Sequence, residues 1–221
     1  MEKYFFMDIL IIAAHPDDEV LGMGGTIKKL TKRKNKVHLC VVSDGAAAVK
    51  DKEALIEKRK KACLKSGKKL GISTFDFLML PDMKLDDIPQ LQINLQIEKL
   101  IKKYDPTIVY TTPYSDFHKD HHKIHECTLV ATRPASSKVK HVLSYEIPGT
   151  VKSTYIPTVF EEITSQELND KISAFKFYTT EIKKYPHPRS IESIRNLAMH
   201  RGIESGVKNA EAFRLIRSIN D

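Results

Sequence analysis

The sequence predicts an α/β fold: a doubly wound, mainly parallel sheet flanked by helices, built as one domain over residues 1–221. Three observations predict it. Short β-branched and apolar runs alternate with longer helical patterns through the first two-thirds of the chain, as strands joined by helical crossovers do. The first of these runs is nearly continuously apolar, which a strand covered on both faces requires. A length of 221 residues at 41% hydrophobic content suffices for one sizeable core, and neither a flexible Gly/Ser linker nor a repeat at solenoid spacing divides it.

The elements follow in order. Asp8–Ala14 (DILIIAA) reads as the first strand, and Gly24–Lys34 as a helix ending in a basic patch. Lys36–Ser43 (KVHLCVVS) reads as the second strand, stopped by the Asp44-Gly45 turn signal. A long charged helix spans Lys52–Leu70 and is closed by Gly71, the residue helices favour just past their carboxyl end. Thr74–Leu80 is the third strand, stopped by Pro81-Asp82. Leu91–Tyr104 is helical, with Leu91, Leu95, Leu100 and Ile101 as its apolar face. Asp105-Pro106 breaks it before the fourth strand, Thr107–Thr111. After a polar loop, His121–Thr132 is helical until Pro134, and His141–Ile147 is the fifth strand. In the tail, Thr164 and Glu167 form a capping box opening a helix whose apolar face is Leu168, Ile172, Phe175 and Ile182. A last helix spans Ser190–Glu204, after the turn Pro186-His187-Pro188-Arg189. The whole is a Rossmann-like arrangement.

Composition narrows the function classes. Lysine and arginine number 36 against 28 acidic residues, a net charge of +8, which favours encounter with anionic partners such as nucleotide-sugars or lipid-linked glycans. Nucleic acid is not an expected partner, because aromatic residues do not interleave with the basic runs. Gly22-Met23-Gly24-Gly25 is neither a G-x-G-x-x-G nor a Walker loop. Cys40, Cys63 and Cys127 are far apart and odd in number, and read as reduced core thiols. The amino-terminal run MEKYFFMDILIIAA is apolar after a lysine, but Asp8 interrupts it, and cleavage after Ala14 would remove the first strand. With no other apolar stretch of spanning length, the expectation is a cytoplasmic protein without a membrane span.

Two clusters carry chemistry. In parallel sheets, ligands sit beyond the carboxyl ends of the strands. His15, Asp17, Asp18 and Glu19 follow the first strand directly, and His15 and Asp18 on one tight loop can face one metal, with Pro16 restricting the loop between them. The loop after the fourth strand, PYSDFHKDHHKIH, places His118, His121, His122 and His125 at the same edge. Two loops could thus supply three ligands and leave one position for water, the catalytic zinc pattern. His121 and His125, one helical turn apart, form an alternative pair.

With both clusters in view, the sequence resembles the PIG-L/LmbE family of metal-dependent sugar deacetylases. The matching residues are Ala14-His15-Pro16-Asp17-Asp18-Glu19 and His118-Lys119-Asp120-His121, with Ser43-Asp44-Gly45 and Leu80-Pro81-Asp82 at the other strand ends. His187-Pro188-Arg189-Ser190, Arg201-Gly202 and Ala210-Glu211-Ala212-Phe213 are similar to the sugar-deacetylase branch. The resemblance implies His15, Asp18 and His121 as ligands of a zinc ion, with iron(II) as the other candidate for a His2Asp site. It implies Asp17 as general base, and His118, oriented by Asp120 and protonated beside it, as the group that polarises the carbonyl. Arg59, Asp44, His187 and Arg189 are the implied substrate contacts. The implied reaction is hydrolysis of the N-acetyl group of an N-acetylglucosamine-type sugar or conjugate, which the positive charge leans towards being anionic. A homo-oligomer, trimer or hexamer, is implied likewise. Lys119 departs from a proline usual in the family, Ala62 from a frequent glutamate, and Ala46–Ala48 from polar residues. The competing readings are a single-metal phosphoesterase-type hydrolase and a non-enzymatic nucleotide-binding α/β module.

Overall fold

The computed structural model describes residues 6–46, 51–149 and 154–220. A seven-stranded sheet of order β3-β2-β1-β4-β5-β7-β6 forms its centre. Strands β1 (Asp8–Ala13), β2 (Lys36–Ser43), β3 (Thr74–Leu80), β4 (Ile108–Thr111) and β5 (His141–Tyr145) are parallel, as expected. β1 is buried on both faces. Ile9, Ile11 and Ala13 face the core under α1 (Asp18–Lys32), α2 (Lys52–Leu70) and α5 (Ser165–Phe175). Leu10, Ile12 and Ala14 face the core under α3 (Gln90–Tyr104) and α4 (Lys119–Ala131). That two-sided burial is why its sequence runs apolar without alternation.

The bounds of β2, α2 and β3 coincide with expectation, and Gly71 closes α2 in the left-handed conformation (φ 96°). The capping box at Thr164 and Glu167 is formed in both directions. Ser190 caps α6 (Ile191–Ser205) by accepting from the Ser193 amide. Cys40, Cys63 and Cys127 are buried free thiols. Among the described residues no helix is long and apolar enough to cross a membrane.

Apart from small shifts at element ends, such as α4 opening at Lys119 rather than His121 and β5 ending at Tyr145 rather than Ile147, four readings differ. α1 starts at Asp18 rather than Gly24, with a kink at Met23. Glycines at positions 22, 24 and 25 lower local helix propensity and hide the first turns. They are there for packing, since a Cβ on Gly22 would lie 2.4 Å from the Tyr145 ring. α3 buries Ile93, Ile97, Leu100 and Ile101, leaving Leu91 and Leu95 exposed. The spacing i, i+4, i+7, i+8 from Ile93 is the true helical face. α5 ends at Phe175, so Ile182 packs on the core from beyond it. Finally, β7 (Ala210–Ser218) and β6 (Val159–Glu162) complete the sheet, β7 running antiparallel to both β5 and β6. In β7 Glu211 is buried together with Ala210, Ala212 and Phe213. It accepts from the Gly25 and Thr26 amides and pairs with Lys171 at 2.6 Å, joining β7 to α1 and α5.

The chain winds from β1 outward to β3, then crosses to β4 on the other side of β1. The switch point therefore lies between β1 and β4, where a ligand crevice opens beyond the strand ends. The loops after those two strands are the two that carry the His/Asp clusters.

Candidate metal centre

His15 leaves the end of β1, and Asp18 opens α1 immediately after it. Asp17, between them, has φ 129°, a conformation rare for any residue but glycine. Holding it costs of order 1–3 kcal/mol, and such strain clusters at functional sites. Gly45, after β2, packs against this turn: its φ is +68°, and a Cβ there would lie 2.6 Å from Pro16 Cδ. From the other side His118 caps α4 by accepting the Asp120 amide on Nδ1 at 3.3 Å, and His121 sits in the first turn.

Three atoms converge. His15 Nδ1 lies 3.2 Å from His121 Nε2, and Asp18 Oδ2 lies 3.5 Å from each. Ligands at about 2.0–2.2 Å from a tetrahedral zinc ion stand about 3.3–3.5 Å apart, so this triangle has the size a zinc ion requires. The far sides of both rings are committed. His15 Nε2 faces Asp120 Oδ2 at 3.1 Å and Asp82 Oδ1 at 3.0 Å, while His121 Nδ1 faces Asp116 Oδ2 at 2.7 Å. A nitrogen facing a carboxylate carries its proton, which leaves the lone pairs of His15 Nδ1 and His121 Nε2 pointing at each other and at a carboxylate oxygen. Only positive charge reconciles such a triangle. Asp18 Oδ1 is also buried without a hydrogen-bond partner. His118 lies within reach of His15 and His121, and a group of His15, Asp82, His118 and Asp120 is equally compact. That second group would share His15 through Nε2, on the opposite side of the ring from the nitrogen that faces Asp18.

The electrostatics agree. Burial disfavours charge on both rings, yet the carboxylates around His15 hold its proton affinity well above the ordinary histidine value. Asp18 and Asp116 do the same for His121, raising it to about 9. Burial opposes ionisation of Asp18, but His121 and His15 hold its carboxyl well below the usual range. The surrounding carboxylates thus make this triangle favour positive charge. Burial lifts Asp17 to about 7 against the pull of Arg189, whose Nη1 is 3.3 Å from Asp17 Oδ2. Beneath it, burial lifts Glu19 to about 8, and Glu19 accepts from the Tyr178 hydroxyl at 2.7 Å and the Asp17 amide at 3.2 Å.

Several expected roles change. The Asp120 carboxylate does not orient His118. It holds His15 and accepts the Met83 and Leu85 amides at 2.8 and 3.1 Å. Burial and the neighbouring His15 and His121 lower the pKa of His118, against the raising effect of Asp120. With Nδ1 accepting, its Nε2 carries the proton, so a neutral His118 remains a donor. His122 and His125 turn to the backbone carbonyls of Asp116 and Thr112, away from the triangle. Asp44 accepts the Ala46 and Asp82 amides on Oδ1 and pairs with Lys52 through Oδ2 at 2.8 Å, so it ties two strand-end loops together. Arg59 donates to the Gly45 carbonyl and to Glu181. Arg189 reaches Asp17 and Glu181, whereas His187 is exposed and its Nδ1 accepts the Arg189 amide at 3.0 Å. Arg201 grips Glu146 and Glu204, a structural clamp on α6. Lys119 starts α4 and pairs with Asp86, and Ala62 packs in the core. Of the alanines after Asp44, Ala47 and Ala48 lie outside the described residues. Sequence reasoning missed Asp116, the role of Asp82, and Glu181. The first two stand at strand-end loops already flagged, and the available signal was closeness to His118 for Asp116 and the place after β3 for Asp82. Glu181 had none.

Comparison with known proteins gives this geometry its family. Residues 10–132 match the PIG-L family, described as GlcNAc-PI de-N-acetylase. YaiS of Escherichia coli (strain K12), described as an uncharacterized deacetylase, is 29% identical over 176 residues, covering 76% of this chain and 88% of that protein. A diacetylchitobiose deacetylase of Thermococcus kodakarensis is 26% identical, with 96% of this chain and 84% of that one covered. The structure of N,N'-diacetylchitobiose deacetylase from Pyrococcus horikoshii superposes with a TM-score of 0.79 at 22% identity, covering 96% of this chain and 84% of that one. The match spans both clusters, from β1 through α4, and the chain belongs to the PIG-L family of deacetylases.

Proposed function

We propose that this chain hydrolyses the N-acetyl group of an N-acetylglucosamine-type sugar or conjugate, with one divalent metal, zinc or iron(II), held by His15, Asp18 and His121. The observation that carries the reading is the triangle of lone pairs and carboxylate oxygen, each imidazole backed by a buried carboxylate. A metal bound there supplies Lewis acidity, making water nucleophilic near neutral pH and polarising the amide carbonyl.

The chain's own groups do the rest. Asp17, next to the ligand Asp18, accepts the proton of the attacking water, and burial keeps its affinity near working pH. Arg189 Nη1 at 3.3 Å orients that carboxylate. His118 Nε2–H donates to the carbonyl oxygen as negative charge develops on it, and one such preorganised donor is worth about 2.7–4 kcal/mol. The same carboxyl of Asp17, once protonated, stands ready to protonate the departing amine. Asp116 and Asp120 keep His121 and His15 in the tautomers that present a lone pair.

The test is acetate release from N-acetylglucosamine, its β-linked disaccharide and N-acetylglucosamine conjugates, with added zinc and with chelator. Metal-dependent acetate from at least one sugar supports the reading. Absence of acetate from every sugar, in protein carrying one metal per chain, contradicts it.

A further inference from the structure

Glu181 lies between α5 and α6, outside every motif of the chain, yet it reaches the reaction centre. The residue is 5% exposed. Oε1 accepts from Arg59 of α2 and from the Thr180 hydroxyl at 2.9 Å, and Oε2 accepts from Arg189 at 2.6 Å. Arg189 in turn lies 3.3 Å from Asp17. The two guanidinium groups beside the reacting centre are thus already neutralised by two carboxylates. Around the metal triangle the remaining charges are acidic: Asp18, Asp82, Asp116 and Asp120. A single dication leaves that edge net negative. The chain's positive excess lies elsewhere, much of it on the exposed lysines 58, 61, 65, 68 and 69 of α2.

An anionic substrate group next to the amide would need a bare guanidinium. Here it would have to displace Glu181, leaving a buried carboxylate without its two cations, which is unfavourable. Substrate hydroxyls meet no such obstacle, since they can donate to Glu181 and accept from either arginine without changing the charge balance. We propose that Glu181 is a specificity-determining residue: by occupying Arg59 and Arg189 it restricts the site to acetamido sugars that are uncharged near the reacting amide. This rests on the deacetylase reading and reverses the leaning towards anionic substrates that net charge alone gives.

The experiment compares kcat/KM for N-acetylglucosamine and N-acetylglucosamine 1-phosphate, whose phosphate sits on the carbon next to the one bearing the amide, in the wild type, Glu181→Gln, and the double variant Glu181→Gln/Arg59→Gln. The wild type should favour the neutral sugar at least tenfold. Glu181→Gln should narrow that ratio at least tenfold, chiefly through KM for the phosphate ester. The double variant, which restores the charge count, should recover discrimination, as mere damage to the fold would not. An unchanged ratio in Glu181→Gln, or a wild type that prefers the phosphate ester, overturns the proposal. Calorimetry with inorganic sulfate on the metal-loaded proteins is the independent arm. Glu181→Gln should bind sulfate at least tenfold tighter than wild type, and equal affinities overturn the proposal whatever the acetate assay shows. Tighter sulfate binding with no acetate from any sugar overturns the deacetylase reading while leaving the charge role of Glu181 standing.

Discussion

Replacing Asp116 with asparagine changes one oxygen into an amide nitrogen and almost nothing in volume. Asp116 is 2% exposed and uses both oxygens: Oδ2 accepts a hydrogen bond from His121 Nδ1 at 2.7 Å, and Oδ1 accepts one from the His118 amide at 2.9 Å. Asparagine has one acceptor, so one of these two donors must face an NH2 group. If the oxygen stays with the His118 amide, His121 must accept on Nδ1, and its proton moves to Nε2, the nitrogen that would hold the metal. If the oxygen stays with His121, the backbone at the start of α4 loses its anchor. Either way the ligand is weakened. Loss of a carboxylate that supports a metal-binding histidine costs 10–100-fold in affinity, about 1.4–2.7 kcal/mol. Competition of wild type and Asp116→Asn with a fluorescent zinc chelator reads this directly, with circular dichroism confirming the fold. A dissociation constant within twofold of wild type in a folded variant would refute the assignment of His121 Nε2 as a ligand atom.

Asp17→Asn should keep its metal yet lose about 10²–10⁴ in kcat, checked by elemental analysis alongside acetate release. His118→Ala should lower kcat about 10²–10³-fold with a smaller change in KM, since its donor acts on developing charge; steady-state kinetics decides this. Gly22→Ala places a Cβ 2.4 Å from the buried Tyr145 ring, and overpacking of this kind should cost about 1–3 kcal/mol, seen as a fall in Tm. Lys171→Ala leaves Glu211 without its cation in a pair whose side chains are 5% and 3% exposed. A loss of about 3 kcal/mol is expected, measurable by urea unfolding.

How much of this was legible in the sequence depends on whether the cause was local. β2, α2 and β3 were readable to the residue because apolar runs, the Asp44-Gly45 turn and the Gly71 stop are all local signals. α1 was shortened by glycines kept for their contacts with Tyr145, Lys171 and Ile163, residues far away in sequence. β7 was hidden because Glu211, polar in sequence, is buried against a lysine 40 positions earlier. The site divides the same way. His15, Asp18 and His121 were visible from their place at strand ends. Asp120 was visible too, but its partner was not, since its carboxylate turns back across the crevice to His15. Asp116 and Glu181 act through contacts that only the tertiary fold creates.

The central claim is that one metal at His15, Asp18 and His121 drives amide hydrolysis. The most direct measurement is to strip the protein with chelator and titrate zinc back, following bound metal and acetate release from the responsive sugar together. The account predicts that acetate release rises from zero and saturates at one zinc per chain in the wild type, and that His121→Ala loses tight binding and turnover together. Full acetate release from metal-free protein, or a His121→Ala variant that keeps both, would contradict it.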